Sequence, residues 1–180
     1  VLWANKSGLS EFGHIVIDYN GRPCECGRQG CLAMYASGKA TLHRLAELSE
    51  QHKTAIEMAQ LADLAESGDR AAQQAITEAG FYLGYGIKDI DCIMHPQYIV
   101  LGSSHPNLAE WYLQGLLKHI DESGPNVFDD DLSERTALAQ KGSFAIAYGA
   151  AAMQINQFFG SPVSIIEKLP AATNIAQFNQ

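Results

Sequence analysis

Glu11-Phe12-Gly13-His14, followed ten positions later by Cys24-Glu25-Cys26-Gly27-Arg28-Gln29-Gly30-Cys31, is the stretch that decides the fold. It places one histidine and three of the chain's four cysteines within 18 positions. Imidazole nitrogen and thiolate sulfur are the ligands that a tetrahedral zinc ion selects. Gly27 and Gly30 permit the backbone turns that bring the thiolates together. The sequence therefore predicts a zinc-binding loop at 14–31, with His14, Cys24, Cys26 and Cys31 as ligands.

The alternative for these cysteines is a pair of disulfides, or three buried thiols without a function. Disulfides require an oxidising compartment, and nothing in the sequence indicates secretion. Cys92 is the one thiol outside the cluster, so a reduced, cytoplasmic protein is the simpler interpretation. A site with four protein ligands is closed, which makes the predicted zinc structural: it would fix a loop that has no core of its own.

The same residues carry a family resemblance. The run Glu11-x-Gly13-His14, followed by Cys24-x-Cys26-Gly27-x-x-Gly30-Cys31-Leu32, resembles the zinc signature of the ROK family, which contains bacterial sugar kinases and sugar-responsive transcriptional repressors. Weaker similarity continues through 96–102 and Gly149-Ala150-Ala151. The resemblance implies that residues 1–160 are the C-terminal lobe of an actin-like, ribonuclease-H-like two-lobed fold, with residues 161–180 as a C-terminal extension or tail.

The resemblance also implies site residues. Glu11 and His14 would contact sugar hydroxyls, with His14 serving the zinc as well, and in the kinases Gly102 would lie against the nucleotide. Two departures weaken these roles. Ala33 stands where the family usually has a sugar-binding glutamate, and each unpaired sugar hydroxyl costs about 1–3 kcal/mol. Gly102-Ser103-Ser104 stands where the kinases have three glycines. The alternatives are that Glu11 is a solvated turn residue and that Gly102 is only a turn.

Charge and hydropathy restrict the partners of this segment. The net charge is −8 and no run of Lys or Arg is present, so we expect no direct binding to nucleic acid. No apolar run approaches the length that spans a bilayer, and no signal peptide is visible. The chain of 180 residues opens at Val1, and we expect a fragment, because the family's phosphate loop, catalytic aspartate and DNA-binding helix-turn-helix lie upstream of the Glu-x-Gly-His motif.

The hydrophobic pattern predicts an α/β fold in which helices predominate. Asp69 is a candidate N-cap, and Gly80, Gly84 and Gly86 indicate close packing of the long helix that follows. Cys92 is expected in the core, and the small residues of the last helix indicate packing under the sheet. The predicted strands cover 1–6, 15–18, 98–102, 135–139 and 163–166. The predicted helices cover 32–51, 54–66, 70–90, 106–120 and 143–159.

Three functions remain open. The first is the effector-binding part of a ROK regulator, which binds a sugar or amino sugar and contacts DNA only through an absent N-terminal region. The second is the C-terminal half of a ROK sugar kinase of the glucokinase, fructokinase or N-acetylhexosamine kinase type, which would use ATP and Mg²⁺ and be inactive as this fragment. The third is a zinc-stabilised domain that binds no sugar. Ala33 and the two serines after Gly102 favour the non-enzymatic regulator, and the family suggests a homodimer or homotetramer.

Overall fold

The structure is a computed structural model that describes residues 11–52, 56–103, 105–124, 128, 131–139 and 144–159. Its helices and strands, in chain order, are α1 Ala33–Ala36, α2 Gly38–Leu48, α3 Met58–Glu66, α4 Arg70–Met94, β1 Ile99–Leu101, α5 Ala109–Glu122, β2 Thr136–Leu138 and α6 Ala145–Phe159. Short 3₁₀ turns lie at Phe12–His14, Glu50–His52 and Pro106–Leu108. The predicted segments 1–6 and 163–166 and the tail 161–180 lie outside the described residues.

A two-stranded parallel sheet is formed by β1 and β2, which pair Ile99 with Thr136 and Leu101 with Leu138. The connection between them contains α5, so the unit is a β-α-β crossover. The predicted strands at 98–102 and 135–139 are thereby confirmed. Although the first of them is apolar throughout, one of its faces is open, since Val100 is 59% exposed. Within the described residues, only the face that carries Ile99 and Thr136 is buried.

Helix α4 is the longest element and begins where the sequence predicts. The Asp69 side chain accepts a hydrogen bond from the Ala72 backbone N–H at 2.9 Å, which satisfies one of the free donors of the first turn. The helix ends at Met94, and the capping residue His95 adopts the left-handed conformation with φ of 40°. Leu45, Leu61, Ala72 and Ile76 belong to one core cluster, and a second contains Ile87, Ile99, Leu116, Ile120 and Leu132.

Glycines allow the backbones of α4 and α5 to approach closely. A Cβ atom on Gly115 would overlap the carbonyl oxygen of Thr77 and lie 2.7 Å from the backbone nitrogen of Phe81. A Cβ atom on Gly80 would likewise overlap the carbonyl oxygen of Tyr112. The predicted close packing of the long helix is confirmed, because no side chain fits at this crossing.

His119 is buried in the same interface, with 3% of its surface exposed. Its ring contacts Phe81, at a centroid distance of 4.8 Å, and Tyr85, at 4.2 Å. Burial lowers the pKa of the imidazole, and the positive charge of Lys88 lowers that pKa further, while Glu122 acts in the opposite direction. His119 is therefore held in its neutral form.

Helix boundaries differ from the predictions for identifiable reasons. The predicted helix 32–51 breaks at Ser37, whose side chain accepts a hydrogen bond from the Ala40 backbone N–H at 3.2 Å and so caps α2. The predicted helix 54–66 begins at Met58, and residues 53–55 lie outside the described part. The predicted helix 106–120 starts as a 3₁₀ turn and becomes α-helical at Ala109.

Three sequence predictions about strands and burial are wrong. The segment 15–18 forms only a single antiparallel bridge, between Val16 and Cys31, rather than a strand, and the next N–H, that of Asp18, donates to the same Gly30 carbonyl as the Ile17 N–H, at 3.4 and 2.9 Å. Cys92 is exposed rather than in the core. The side chains of α6 that the structure describes are exposed and do not pack under the sheet. No helix among the described residues has the length and apolarity to cross a bilayer.

Candidate metal centre

The first half of the site is the 3₁₀ turn at Phe12–His14. The His14 N–H donates to the Glu11 carbonyl at 3.0 Å, and this turn brings two side chains that are three residues apart to the same side. His14 Nε2 lies 3.9 Å from Glu11 Oε2. The two side chains implied as sugar contacts are therefore adjacent.

The second half is a tight loop that contains the three cysteines. The Cys24 N–H donates to the Arg28 carbonyl at 2.8 Å, and the Gly27 N–H donates to the Cys24 carbonyl at 3.0 Å. Gly27 and Gly30 have φ of 85° and 68°, and a Cβ atom on Gly30 would overlap the Asp18 carbonyl oxygen. Glycine is therefore required at Gly30 both by conformation and by space.

Four potential ligand atoms converge where these halves meet. One atom each from His14, Cys24, Cys26 and Cys31 lies within 4.8 Å of the other three. Cys24 Sγ is 3.5 Å from His14 Nδ1, and Cys26 Sγ is 3.6 Å from Cys31 Sγ. Zn–S bonds of about 2.3 Å and Zn–N bonds of about 2.0 Å in a tetrahedron separate neighbouring ligand atoms by roughly 3.5–3.8 Å. These two separations fit a zinc ion, and the cysteines are free thiols rather than disulfides.

The thiols of the cluster have unequal proton affinities. The Arg28 guanidinium, hydrogen-bonded to Cys26, lowers the pKa of that thiol to about 6. Burial, followed by hydrogen bonds with Cys26 and Cys24, raises the pKa of Cys31 to about 11. Protein groups alone therefore favour the protonated form of Cys31 at neutral pH. A divalent cation bound by the sulfurs would favour their thiolate forms.

The histidine is oriented to act on two sides. Its Nδ1 faces the thiols, and its Nε2 faces Glu11. A metal bound to Nδ1 would fix the tautomer in which Nε2 carries the proton and can donate it.

The Cβ of Ala33, at the start of α1, would lie 3.3 Å from a Cβ built on Gly13, so an apolar methyl group borders the same turn.

Gly102, the predicted nucleotide contact, lies immediately after β1. It is exposed, and a Cβ atom there would have no described neighbour within 4 Å. The Ser103 hydroxyl accepts a hydrogen bond from the His105 backbone N–H at 3.0 Å and donates to the His105 carbonyl at 2.9 Å. This hydroxyl therefore serves the local turn, while Ser104 lies outside the described residues.

Sequence reasoning missed a polar network beside the loop 14–31 that carries the three cysteines. Arg22 and Tyr35 are its central residues, and it borders a cavity of about 250 Å³. The turn pair Asn20-Gly21 marks the position of Arg22, but no local pattern reveals its partners, which are distant in sequence. The lining residues are Arg22, Tyr35, Arg44, Ala75, Glu78, Ala79 and Tyr82.

Comparisons with known proteins give one consistent result. The family model of the ROK family matches residues 3–157. The chain is 38% identical over 104 residues to the xylose repressor of Bacillus spizizenii, covering 57% of this chain and 26% of that protein. It is 29% identical over 169 residues to the DNA-binding transcriptional repressor Mlc of Escherichia coli, covering 89% of this chain and 41% of that protein. The chain thus spans less than half the length of either curated relative.

A solved structure extends this result to the fold. The ROK family glucokinase from Streptomyces griseus, determined in complex with glucose and AMPPNP, superposes with a TM-score of 0.67 at 24% sequence identity. The match covers 80% of this chain and 50% of that chain. The two proteins therefore share a mixed α/β fold over the matched region.

Proposed function

The chain belongs to the ROK family, and from this premise we propose that it is the effector-binding portion of a ROK transcriptional regulator. The similarity to the xylose repressor and to Mlc supports a regulator. The observation that carries the proposal is the convergence of His14 with three thiols, while its second nitrogen faces Glu11. In this arrangement one structural feature would serve both the proposed metal site and the proposed ligand-binding surface.

The proposed metal is a structural zinc ion held by His14, Cys24, Cys26 and Cys31. Its support is the soft donor set and the fit of the two short ligand separations to a tetrahedron. The ion would supply rigidity to the loop 14–31 and no chemistry of its own.

The proposed ligand is a sugar or amino sugar that contacts Glu11 and His14. The Glu11 carboxylate would accept hydrogen bonds from sugar hydroxyls, and the His14 Nε2–H would donate one. Ligand binding would favour one arrangement of two lobes over another, which would change DNA affinity elsewhere in the intact protein. Ala33 offers no polar group to this ligand, so the contacts at Glu11 and His14 carry the recognition.

The proposed fold assignment is that residues 1–160 form the C-terminal lobe of an actin-like, ribonuclease-H-like fold, with 161–180 as an extension. The parallel β1-α5-β2 unit and the match to half of the glucokinase chain support it. We propose that DNA is contacted outside this segment, because its net charge of −8 opposes phosphate binding. A homodimer or homotetramer is proposed for the intact protein.

The test is calorimetric titration of the zinc-loaded, full-length protein with D-xylose, D-glucose and N-acetyl-D-glucosamine. We expect one of them to bind, and we expect Glu11→Gln to abolish binding while leaving the zinc content unchanged. The matched control is Glu25→Gln, which changes an exposed glutamate of the same loop and should bind like the wild type. Zinc without any sugar binding would instead identify a zinc-stabilised domain with no effector.

The second candidate function is the C-terminal half of a ROK sugar kinase, favoured by the structural match to the glucokinase. In that case Gly102 would contact ATP, and the reaction would require Mg²⁺. The discriminating measurement is ADP release by the full-length protein with ATP, Mg²⁺ and the same sugars. If the protein is a regulator, ADP is released at the background rate. Sugar-dependent release of ADP would instead show that the protein is a kinase.

A further inference from the structure

Arg22 connects the entry and the exit of the metal loop through its backbone and its side chain. It lies two residues before Cys24. The Gly30 N–H donates to the Arg22 carbonyl at 2.8 Å, and the Arg22 N–H donates to the Tyr35 hydroxyl at 3.0 Å. Arg22 Nη1 donates to the Met34 carbonyl at 3.1 Å, and the guanidinium carbon lies 5.1 Å from the centre of the Tyr35 ring.

Tyr35 completes this connection from the other side. Its hydroxyl reaches back from α1 and donates to Asp18 Oδ2 at 3.3 Å. Gly21 leaves the space for it, because a Cβ atom there would overlap the Tyr35 hydroxyl. Arg22 and Tyr35 thus hold residues that precede Cys24 against residues that follow Cys31.

The network continues from Arg22 into the helical core. Arg22 Nη2 lies 3.7 Å from Glu47 Oε2 on α2, and Glu47 also accepts a hydrogen bond from Arg44 Nη1 at 3.0 Å. Arg44 binds both oxygens of Glu78 on α4, at 2.6 and 3.3 Å. Half-exposed ion pairs of this kind contribute little individually, but together they fix the direction in which the Arg22 guanidinium points.

We propose that Arg22 is a positioning residue for the candidate metal centre and that Tyr35 is its partner. This inference rests on the proposed zinc site. Arg22 contacts no ligand atom in the hydrogen bonds described above. It holds the two ends of the loop together before an ion binds, so less conformational freedom is lost on binding, and metal affinity rises by preorganisation.

The test is the Zn²⁺ dissociation constant, measured by competition with a chromogenic chelator, for the wild type, Arg22→Gln, Tyr35→Phe and Lys39→Gln. Loss of an outer-shell support typically weakens metal binding by about 10- to 100-fold, and we expect at least the lower value for Arg22→Gln. Tyr35→Phe removes only one hydroxyl and should weaken binding by a smaller factor. Lys39→Gln removes an equal charge from α2, where Lys39 forms an exposed ion pair with Glu25 of the loop, and it should leave the constant unchanged.

Thermal unfolding in EDTA and in excess zinc separates positioning from general stabilisation. If Arg22 positions the loop, the increase in Tm on adding zinc is smaller in Arg22→Gln than in the wild type. A residue that only stabilises the fold would lower Tm equally under both conditions and leave the dissociation constant unchanged.

Each outcome bears on a different statement. If the wild type binds no zinc, the proposed metal site is wrong. If the wild type binds zinc and Arg22→Gln binds it with the same constant, the metal site stands and the role of Arg22 is overturned. If Arg22→Gln does not fold, Tyr35→Phe decides, and an unchanged constant for that variant overturns the inference.

Discussion

Replacing Gly115 by alanine should destabilise the protein, although alanine is the better helix former. Gly115 lies in α5 at its crossing with α4. The new methyl group would overlap the Thr77 carbonyl oxygen and lie 2.7 Å from the Phe81 backbone nitrogen. Both obstacles are backbone atoms of α4, so no rotamer change relieves the overlap and the two helices must separate.

The magnitude follows from two opposing contributions. Alanine in place of glycine inside a helix contributes roughly 1 kcal/mol of intrinsic stability. Overpacking costs about 1–3 kcal/mol, and the upper value applies here because the obstacle is backbone. The net loss is about 2 kcal/mol, which for a chain of this size lowers Tm by roughly 4–8 °C.

The matched control is Gly149→Ala in α6. A Cβ atom at Gly149 would meet no described atom within 4 Å, so only the helix propensity remains. This variant should gain up to about 1 kcal/mol. The same substitution is thus expected to have opposite signs at two helical positions.

The assay is urea unfolding followed by circular dichroism, with the zinc concentration held constant because bound metal adds to the measured stability. Gly115→Ala should unfold at lower urea than the wild type, and Gly149→Ala at equal or higher urea. If Gly115→Ala proves as stable as Gly149→Ala, then α4 and α5 do not meet through their backbones, and the described crossing is incorrect.

Three further predictions concern the metal, pH and helix capping. Cys26→Ser should release zinc while Cys92→Ser retains it, because only Cys26 belongs to the cluster; equal zinc content by elemental analysis would contradict the ligand assignment. Burial lowers the pKa of His119 in the folded state. Below about pH 6.5, the usual histidine pKa, the unfolded chain therefore binds a proton at this residue more readily than the folded chain does. The contribution of His119 to the free energy of unfolding is thus fully present above about pH 6.5 and declines as the pH falls. Urea unfolding at pH 7.5 and 5.5 should show a smaller decline for His119→Gln, and an equal decline would remove His119 as a cause. Asp69→Ala should lose about 1 kcal/mol by removing the cap of α4, whereas Asp69→Asn, which keeps an acceptor, should lose less in the same assay; equal losses would argue against capping.

The convergence of His14 with the three cysteines and the start of α4 could be predicted from the sequence because their determinants are local. Ligand types, their spacing and the glycines at Gly27 and Gly30 together specify a turn that concentrates thiols. Asp69 and the helical repeat of apolar residues specify where α4 begins and which face it buries. Each signal lies within a short stretch of sequence, so it can be recognised without knowing which distant residues pack against it.

The errors arise where the outcome depends on a distant element. Residues 15–17 are apolar like a strand, but they form only one antiparallel bridge, between Val16 and Cys31. Cys92 and Val100 are apolar yet exposed, because burial depends on what packs opposite them. The ion pairs that link Arg22 to Glu47, and Glu47 through Arg44 to Glu78, join residues that are far apart in sequence. No periodicity of the sequence indicates these pairs. Contacts between side chains that are far apart in sequence could therefore not be predicted from one sequence alone.

The two sides of the cysteine cluster differ in their access to solvent. Cys26 is exposed, whereas Cys31 is completely buried. An incoming chelator could therefore approach a bound ion from the Cys26 side and begin to replace ligands while the Cys31 side remains attached. Metal exchange would proceed by associative ligand substitution on the folded protein, at a rate that increases with chelator concentration. Global unfolding would then not be required for metal exchange at the proposed site.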